Sequence, residues 1–368
     1  MIPVAEPLVT ERDIELVNEA LKSGWISSAG KFLDLFEERW AAYCGMPHGI
    51  AVSNGSTALD VAVGLLDLQP GDEVIMPTFT IISPAQSVVR AGGIPVLVDS
   101  EPRTWQMDVN QIEAKISSRT RAILVVHIYG HPADMDAILD IARRHNLTVI
   151  EDAAEVHGAE YKGRRCGGLG DISTFSFYAN KLVTTGEGGM VLVRTTEMAE
   201  RARSLRNLCF QKKQRFLHDE LGYNFRLTNL QAALGVGQIE RMEQIVARKR
   251  AIANVYSECL KDVPGIQLPA EALWAQNVYW VYGIVLSYEA GLTALQLSER
   301  LRKLGIETRQ FFLGMHEQPV FQRMGLFGGE RYPVAEHLAR QGLYIPSGLT
   351  MTDQQIAETA TALKECLA

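Results

Sequence analysis

Between residues 48 and 195, short runs of Val, Ile and Leu alternate with stretches of helical periodicity, and that alternation leaves few folds open. Gly49–Val52 precedes a helical stretch from Ser56 to Leu68, and Val74–Met76 precedes one from Pro84 to Ala91. Pro95–Val98 precedes Val109 to Ile116. Ala122–Val126 precedes Asp136 to Arg144, and Leu147–Ile150 follows. Runs that are apolar on both faces need cover on both faces, so the pattern predicts an α/β fold with a mainly parallel sheet between helices. Two more strands are expected at Ile172–Phe177 and Met190–Val193, the second a candidate for antiparallel pairing.

The pattern changes near Thr228. Asn229 to about Leu260 contains no proline and reads as one or two long helices. A strand at Tyr279–Leu286, a helix at Ala294–Leu304, a strand at Ile306–Phe311 and a closing helix at Asp353–Cys366 form a small α+β unit. The expected division is a large domain over 1–245, with the N-terminal segment, and a small one over 246–368. A chain of 368 residues is long enough for both.

Composition narrows the function. A net charge of −7 provides no broad basic field for a nucleic-acid backbone, and a nucleic-acid partner is not expected. No apolar run approaches the roughly 20 residues that cross a bilayer, and the first residues lack the pattern of a signal peptide. The five cysteines show no CxxC and the eight histidines no HxH or HExxH, so reduced thiols, a cytoplasmic setting and no metal site are expected.

In an open α/β sheet, ligands bind at the carboxyl ends of the strands. Three polar groups fall there. Ser53-Asn54-Gly55-Ser56-Thr57 is a strand-to-helix turn whose free amides and hydroxyls, Ser56 and Thr57 among them, suit a phosphate; such a turn is equally a plain N-cap. Asp152, in Glu151-Asp152-Ala153-Ala154-Glu155, ends a buried strand and could hold a proton on a pyridine nitrogen, or cap a helix. Lys181 follows Ser176-Phe177-Tyr178-Ala179-Asn180 and precedes a glycine-rich turn. Partial burial there would free its amine as a nucleophile, although alone it reads as a surface lysine. Phosphate turn, carboxylate and lysine in that order are the set that a pyridoxal 5'-phosphate enzyme needs. A dinucleotide fold is disfavoured because no GxGxxG follows the first strand.

These residues resemble the DegT/StrS-type sugar aminotransferases, a fold-type I family with a three-layer α/β/α large domain and a small C-terminal α+β domain. The likeness covers Gly71-Asp72-Glu73-Val74, Glu151 to Glu155, SFYANKLVTTGEGG from Ser176, and Gly222 to Asn229. The resemblance implies that Lys181 holds the cofactor covalently and that Asp152 meets its ring nitrogen, with Glu155 beside its phenolic oxygen. Ser56, Thr57 and Ser176 would hold the phosphate. Asn224 would reach that phosphate from a second subunit, making a homodimer with shared sites. Where the family usually stacks an aromatic ring on the cofactor, this chain has Ile81, and Phe79 is expected to face the core.

Within the family, Trp25-Ile26-Ser27-Ser28, Trp105-Gln106-Met107 and His127 to Pro132 resemble a subgroup that makes GDP-linked 4-amino sugars. A nucleotide-linked keto-sugar and L-glutamate are the implied substrates, in surface-polysaccharide synthesis. Trp25, Ser27 and Ser28 are candidate substrate contacts; Arg309 and His316 are also candidates, each reading equally as structural, and Gly314 replaces a usual proline. Related sugar dehydratases carry His in place of the lysine, so Lys181 favours transamination. The rivals are an aminotransferase for a UDP- or dTDP-linked sugar and a non-catalytic protein on the same fold.

Overall fold

The computed structural model describes residues 1–211 and 213–367. The strands in chain order are β1 (His48–Val52), β2 (Glu73–Pro77), β3 (Ile94–Val98), β4 (Thr120–Val126) and β5 (Thr148–Asp152). Two short ones follow, β6 (Glu160–Tyr161) and β7 (Arg164–Arg165), then β8 (Ile172–Ser176) and β9 (Gly189–Val193). Beyond the long helices come β10 (Ile266–Gln267), β11 (Ala275–Gln276), β12 (Tyr282–Leu286), β13 (Arg309–Gln310) and β14 (Gly342–Ile345).

Seven strands form one sheet in the order β1-β9-β8-β5-β4-β2-β3. The pairs from β3 across to β8 are parallel, and β9 runs against both of its neighbours. Every residue of β2, β8 and β9 is buried, as the apolar runs require of a sheet covered on both faces. This is the expected α/β large unit, with the antiparallel strand where Met190–Val193 placed it.

A second sheet, β10-β12-β14-β13, has its own apolar core, which includes Tyr282, Ile284, Leu286, Leu343 and Ile345. The helix Met242–Leu260 feeds both cores. Met242, Ile245 and Val246 pack into the first, and Ile252, Ala253, Tyr256 and Leu260 into the second. A cut at 245/246 therefore falls within a continuous helix. Phe311, Met315 and Tyr332 also return to the first core, while Ile2 bridges to Ile306 beside the second.

Three local expectations need correction. Val109 to Ile116 is two short 3-10 turns, Val109–Gln111 and Glu113–Lys115. The Asp108 carboxylate accepts from the Asn110 N–H and the Gln111 amide, which tightens the first turn. The strand expected from Tyr279 starts at Tyr282, because Tyr279 adopts φ 47°, in the left-handed region. Of Ile306–Phe311 only Arg309–Gln310 forms ladder strand, since Ile306 pairs with Ile2.

Candidate active site

The carboxyl ends of β1, β5 and β8 open onto a cavity of about 460 Å³, a size suited to a small organic ligand. Its wall includes Gly55, Ser56, Ile81 and Ser83, then Asp152, Glu155, Ser176, Lys181 and Trp280.

The turn after β1 starts the helix Gly55–Gly64 with a reciprocal cap. The Asn54 side chain accepts from the Thr57 N–H at 2.9 Å, and the Thr57 hydroxyl accepts from the Asn54 N–H at 3.1 Å. Thr57 therefore faces back into its own turn and is absent from the cavity wall. The Ser56 hydroxyl sits on that wall, 2.8 Å from the hydroxyl of Ser83 at the start of the next helix, Ser83–Arg90. Position 55 must be glycine here, because a Cβ would lie 2.6 Å from that of Ser176 on β8. The close approach brings the hydroxyls of Ser56 and Ser176 to one positive helix end.

Asp152 ends β5 and is 4% exposed, with Oδ1 accepting from the Ala154 N–H at 3.1 Å. Burial raises its pKa, and Ala154 and the Lys181 ammonium oppose the rise. Its neighbour Glu151 points to the other face of the sheet and anchors the strand end. Glu151 accepts from His127 Nε2 at 3.0 Å and from the amides of Gly167, Leu169 and Gly170. His127 Nδ1 accepts from the Ala133 N–H at 3.0 Å, which leaves Nε2 as the donor to Glu151. Burial opposes ionisation of Glu151, but these donors hold its carboxyl below the ordinary value.

Lys181 lies within a loop after β8, its side chain 10% exposed. Its Nζ is 3.8 Å from Glu155 Oε1 and 3.5 Å from the centroid of the Trp280 ring. Burial lowers its pKa, against the pull of Glu155 and Asp152. Burial pushes Glu155 up to about 7, although Lys181 and the Tyr129 N–H, 2.7 Å from Oε2, favour its charge. The site thus pairs an easily deprotonated amine with two reluctant carboxylates, a combination suited to moving protons.

Other candidates lie elsewhere. Ile81 is on the cavity wall and 46% exposed, while Phe79 is buried. Asn224 is exposed and outside its own chain's cavity, with its Oδ1 accepting from Arg226 at 2.7 and 3.0 Å. Trp25, Ser27 and Ser28 form an exposed loop, tied down where buried Asn229 donates to the Trp25 carbonyl and to that of Ser27. Arg309 is a surface residue ion-paired with Glu307 at 2.6 Å. His316 is buried, bonded to Thr78 Oγ1 at 2.8 Å and to Glu336 at 3.3 Å. Neither Arg309 nor His316 lines the cavity. Sequence reasoning passed over Ser83 and Trp280. Ser83 reads as an ordinary helix start, and Trp280 as one of the apolar residues at the entry to a strand.

Residues 7–364 match the DegT/DnrJ/EryC1/StrS aminotransferase family, and the chain belongs to it. Among individual relatives, it is 40% identical over 367 residues to a GDP-perosamine synthase of Caulobacter vibrioides, covering 100% of this chain and 98% of that protein. It is 38% identical to a GDP-perosamine synthase of Escherichia coli O157:H7, covering 99% and 98%. The fold superimposes on that of S. venezuelae DesV, solved in complex with a ketimine intermediate, with a TM-score of 0.90 at 35% identity, over 96% of this chain and 94% of that one.

Proposed function

We propose that this chain is a pyridoxal-phosphate-dependent aminotransferase that moves an amino group from L-glutamate to C4 of GDP-4-keto-6-deoxy-D-mannose, releasing GDP-perosamine and 2-oxoglutarate. One observation carries the reaction class: the Lys181 amine is buried beside two carboxylates in the cavity that the hydroxyl-lined helix start opens into. The choice of nucleotide and sugar rests on the full-length likeness to GDP-perosamine synthases.

The residues fit this cofactor. Gly55 keeps the helix start bare, Ser56 and Ser176 offer hydroxyls there, and Asp152 has Oδ1 bonded to Ala154 while its side chain borders the cavity. Ser56 and Ser176 would hold the phosphate with the helix amides, Thr57 would keep their turn in shape, and Asn224 would contribute from the other subunit of a homodimer. Asp152 would keep a proton on the ring nitrogen, with Glu155 beside the phenolic oxygen. Ile81 would cover the ring face, giving up an aromatic contact worth about 0.5–1.5 kcal/mol.

Bound pyridoxal phosphate supplies the carbon that takes up the amino group and a ring that accepts the electrons left by the departing proton. Lys181 would anchor that carbon, and burial lowers the pKa of its amine, which makes the proton easier to give up. Once freed by an incoming amine, Lys181 Nζ would be placed to take the proton from the donor's α-carbon and to give it up again within the same cavity, and would serve the sugar half in the opposite sense. Trp25, Ser27 and Ser28 are proposed sugar-nucleotide contacts, and the bonding of His316 supports a structural part for that residue.

The test is mass spectrometry of products after incubation with cofactor, L-glutamate and a panel of GDP-, UDP- and dTDP-linked keto-sugars. Exchange of carbonyl for amine on the GDP-linked sugar is expected. Amination of only a UDP- or dTDP-linked sugar would contradict the proposed substrate. A colourless protein that ignores added cofactor would contradict the reaction class.

A further inference from the structure

The Lys181 amine lies over an aromatic face. Nζ lies 3.5 Å from the Trp280 ring centroid, against 3.8 Å from the Glu155 oxygen, which is long for a hydrogen bond. Trp280 is held through both its indole and its main chain. Its Nε1–H donates to the carbonyl of Asn180, the residue before the lysine, at 2.8 Å. Its own carbonyl accepts from Lys249 Nζ at 3.0 Å. Lys249 is 3% exposed, at the seam between the two cores, and also donates to the carbonyl and hydroxyl of Ser347 at 2.5 and 3.3 Å.

The chain entering Trp280 is strained. Tyr279 adopts φ 47°, and its N–H donates to Asn277 Oδ1 at 2.7 Å. The backbone there presses on Gly130, where a Cβ would meet Trp280 N at 2.6 Å. Strain of this kind persists only where the surroundings enforce it, and here it fixes one ring over one amine.

Resting on the proposed function, we propose that Trp280 is a positioning residue for Lys181: its indole face holds the ammonium at a fixed rest point on the cavity wall once the disengaged amine has taken up a proton, and Lys249 fixes the Trp280 main chain. A ring face attracts a cation but cannot accept its proton. The displaced lysine is therefore held near the reaction while remaining the carrier of the proton, which a closer carboxylate could remove.

The test is the ionisation of Lys181 in the full-length chain freed of cofactor, read by competitive acetylation with acetic anhydride across pH and peptide mass spectrometry. Wild type, Trp280→Phe and Trp280→Leu are compared. Losing the face removes a contact made only by the charged amine, so the apparent pKa should fall by about one unit in Trp280→Leu and by less in Trp280→Phe. If Trp280→Leu fails to fold, a fall in Trp280→Phe alone supports the role. A gap that merely admits water would push the value up, so an unchanged or raised value in either folded variant overturns the role, as does an equal fall in both. Cofactor uptake, followed by visible absorbance, tests the other reading: its absence in wild type overturns the proposed function. Uptake with an unmoved Lys181 overturns only the part given to Trp280.

Discussion

At Glu155, burial outweighs the attraction of Lys181, and the carboxyl is pushed up to about 7. A folded-state pKa above the unfolded one means that the folded chain binds this proton more tightly. The resulting stability is complete below the ordinary carboxylate range and is lost as pH rises through about 7. Glu155→Gln has no such proton to lose. Its melting temperature, measured without cofactor, should therefore gain on wild type between pH 5 and 8; a gap that stays flat or closes would contradict the burial argument. Asp152→Asn should keep the cofactor but lose about 10²–10³-fold in turnover, because a neutral amide cannot hold a charged ring nitrogen. Unaltered steady-state kinetics would remove Asp152 from that role. Asp152 was legible because it lies just beyond the apolar run Leu147–Ile150, and Ser176 and Lys181 because SFYANKLVTTGEGG resembles the family's lysine stretch. Trp280 was not, because its value comes from the ring's distance to an amine nearly one hundred residues earlier, and apolar periodicity says nothing of that.

Among the elements, the contact between the helix Gly55–Gly64 and β8 tolerates no added carbon. Gly55→Ala should destabilise the fold by about 1–3 kcal/mol and weaken cofactor retention, measured by denaturant unfolding and by titration. Unchanged values in both would mean that the two elements are not held so closely. Asn229 ties three segments together, with Oδ1 accepting from Phe32 and Leu33 and Nδ2 donating to Trp25. Asn229→Ala leaves the buried Phe32 N–H without its partner and frees the Trp25 carbonyl, at a cost of about 1–3 kcal/mol. Faster proteolysis within residues 25–31 should accompany it. The parallel sheet could be read because β2, β3, β4 and β5 each carry consecutive Val, Ile or Leu residues, whereas β8 is Ile-Ser-Thr-Phe-Ser. β14 was missed: Gly342–Ile345 follows directly on the helix Pro333–Gln341 and is too short to show a period of its own. The stretch 109–116 carried a helical pattern, but local bonds from Asp108 drew it into 3-10 turns.

For the whole molecule, the exposed Asn224 is the informative residue, since it lies outside the cavity of its own chain. If it completes the site of a second subunit, Lys181→Ala and Asn224→Ala chains, each impaired alone, should complement on mixing. Half of randomly reassorted dimers would be mixed, each with one intact site, giving about a quarter of wild-type activity. No recovery after verified subunit exchange would confine each site to one chain. All of the proposed chemistry depends on a single amine. The most direct measurement is to load the protein with pyridoxal phosphate, reduce with borohydride, and map the digested peptides by mass spectrometry. One reduced cofactor should be fixed on Lys181 and none on Lys181→Ala. Stable labelling of another lysine, with Lys181 left unmodified, would contradict it.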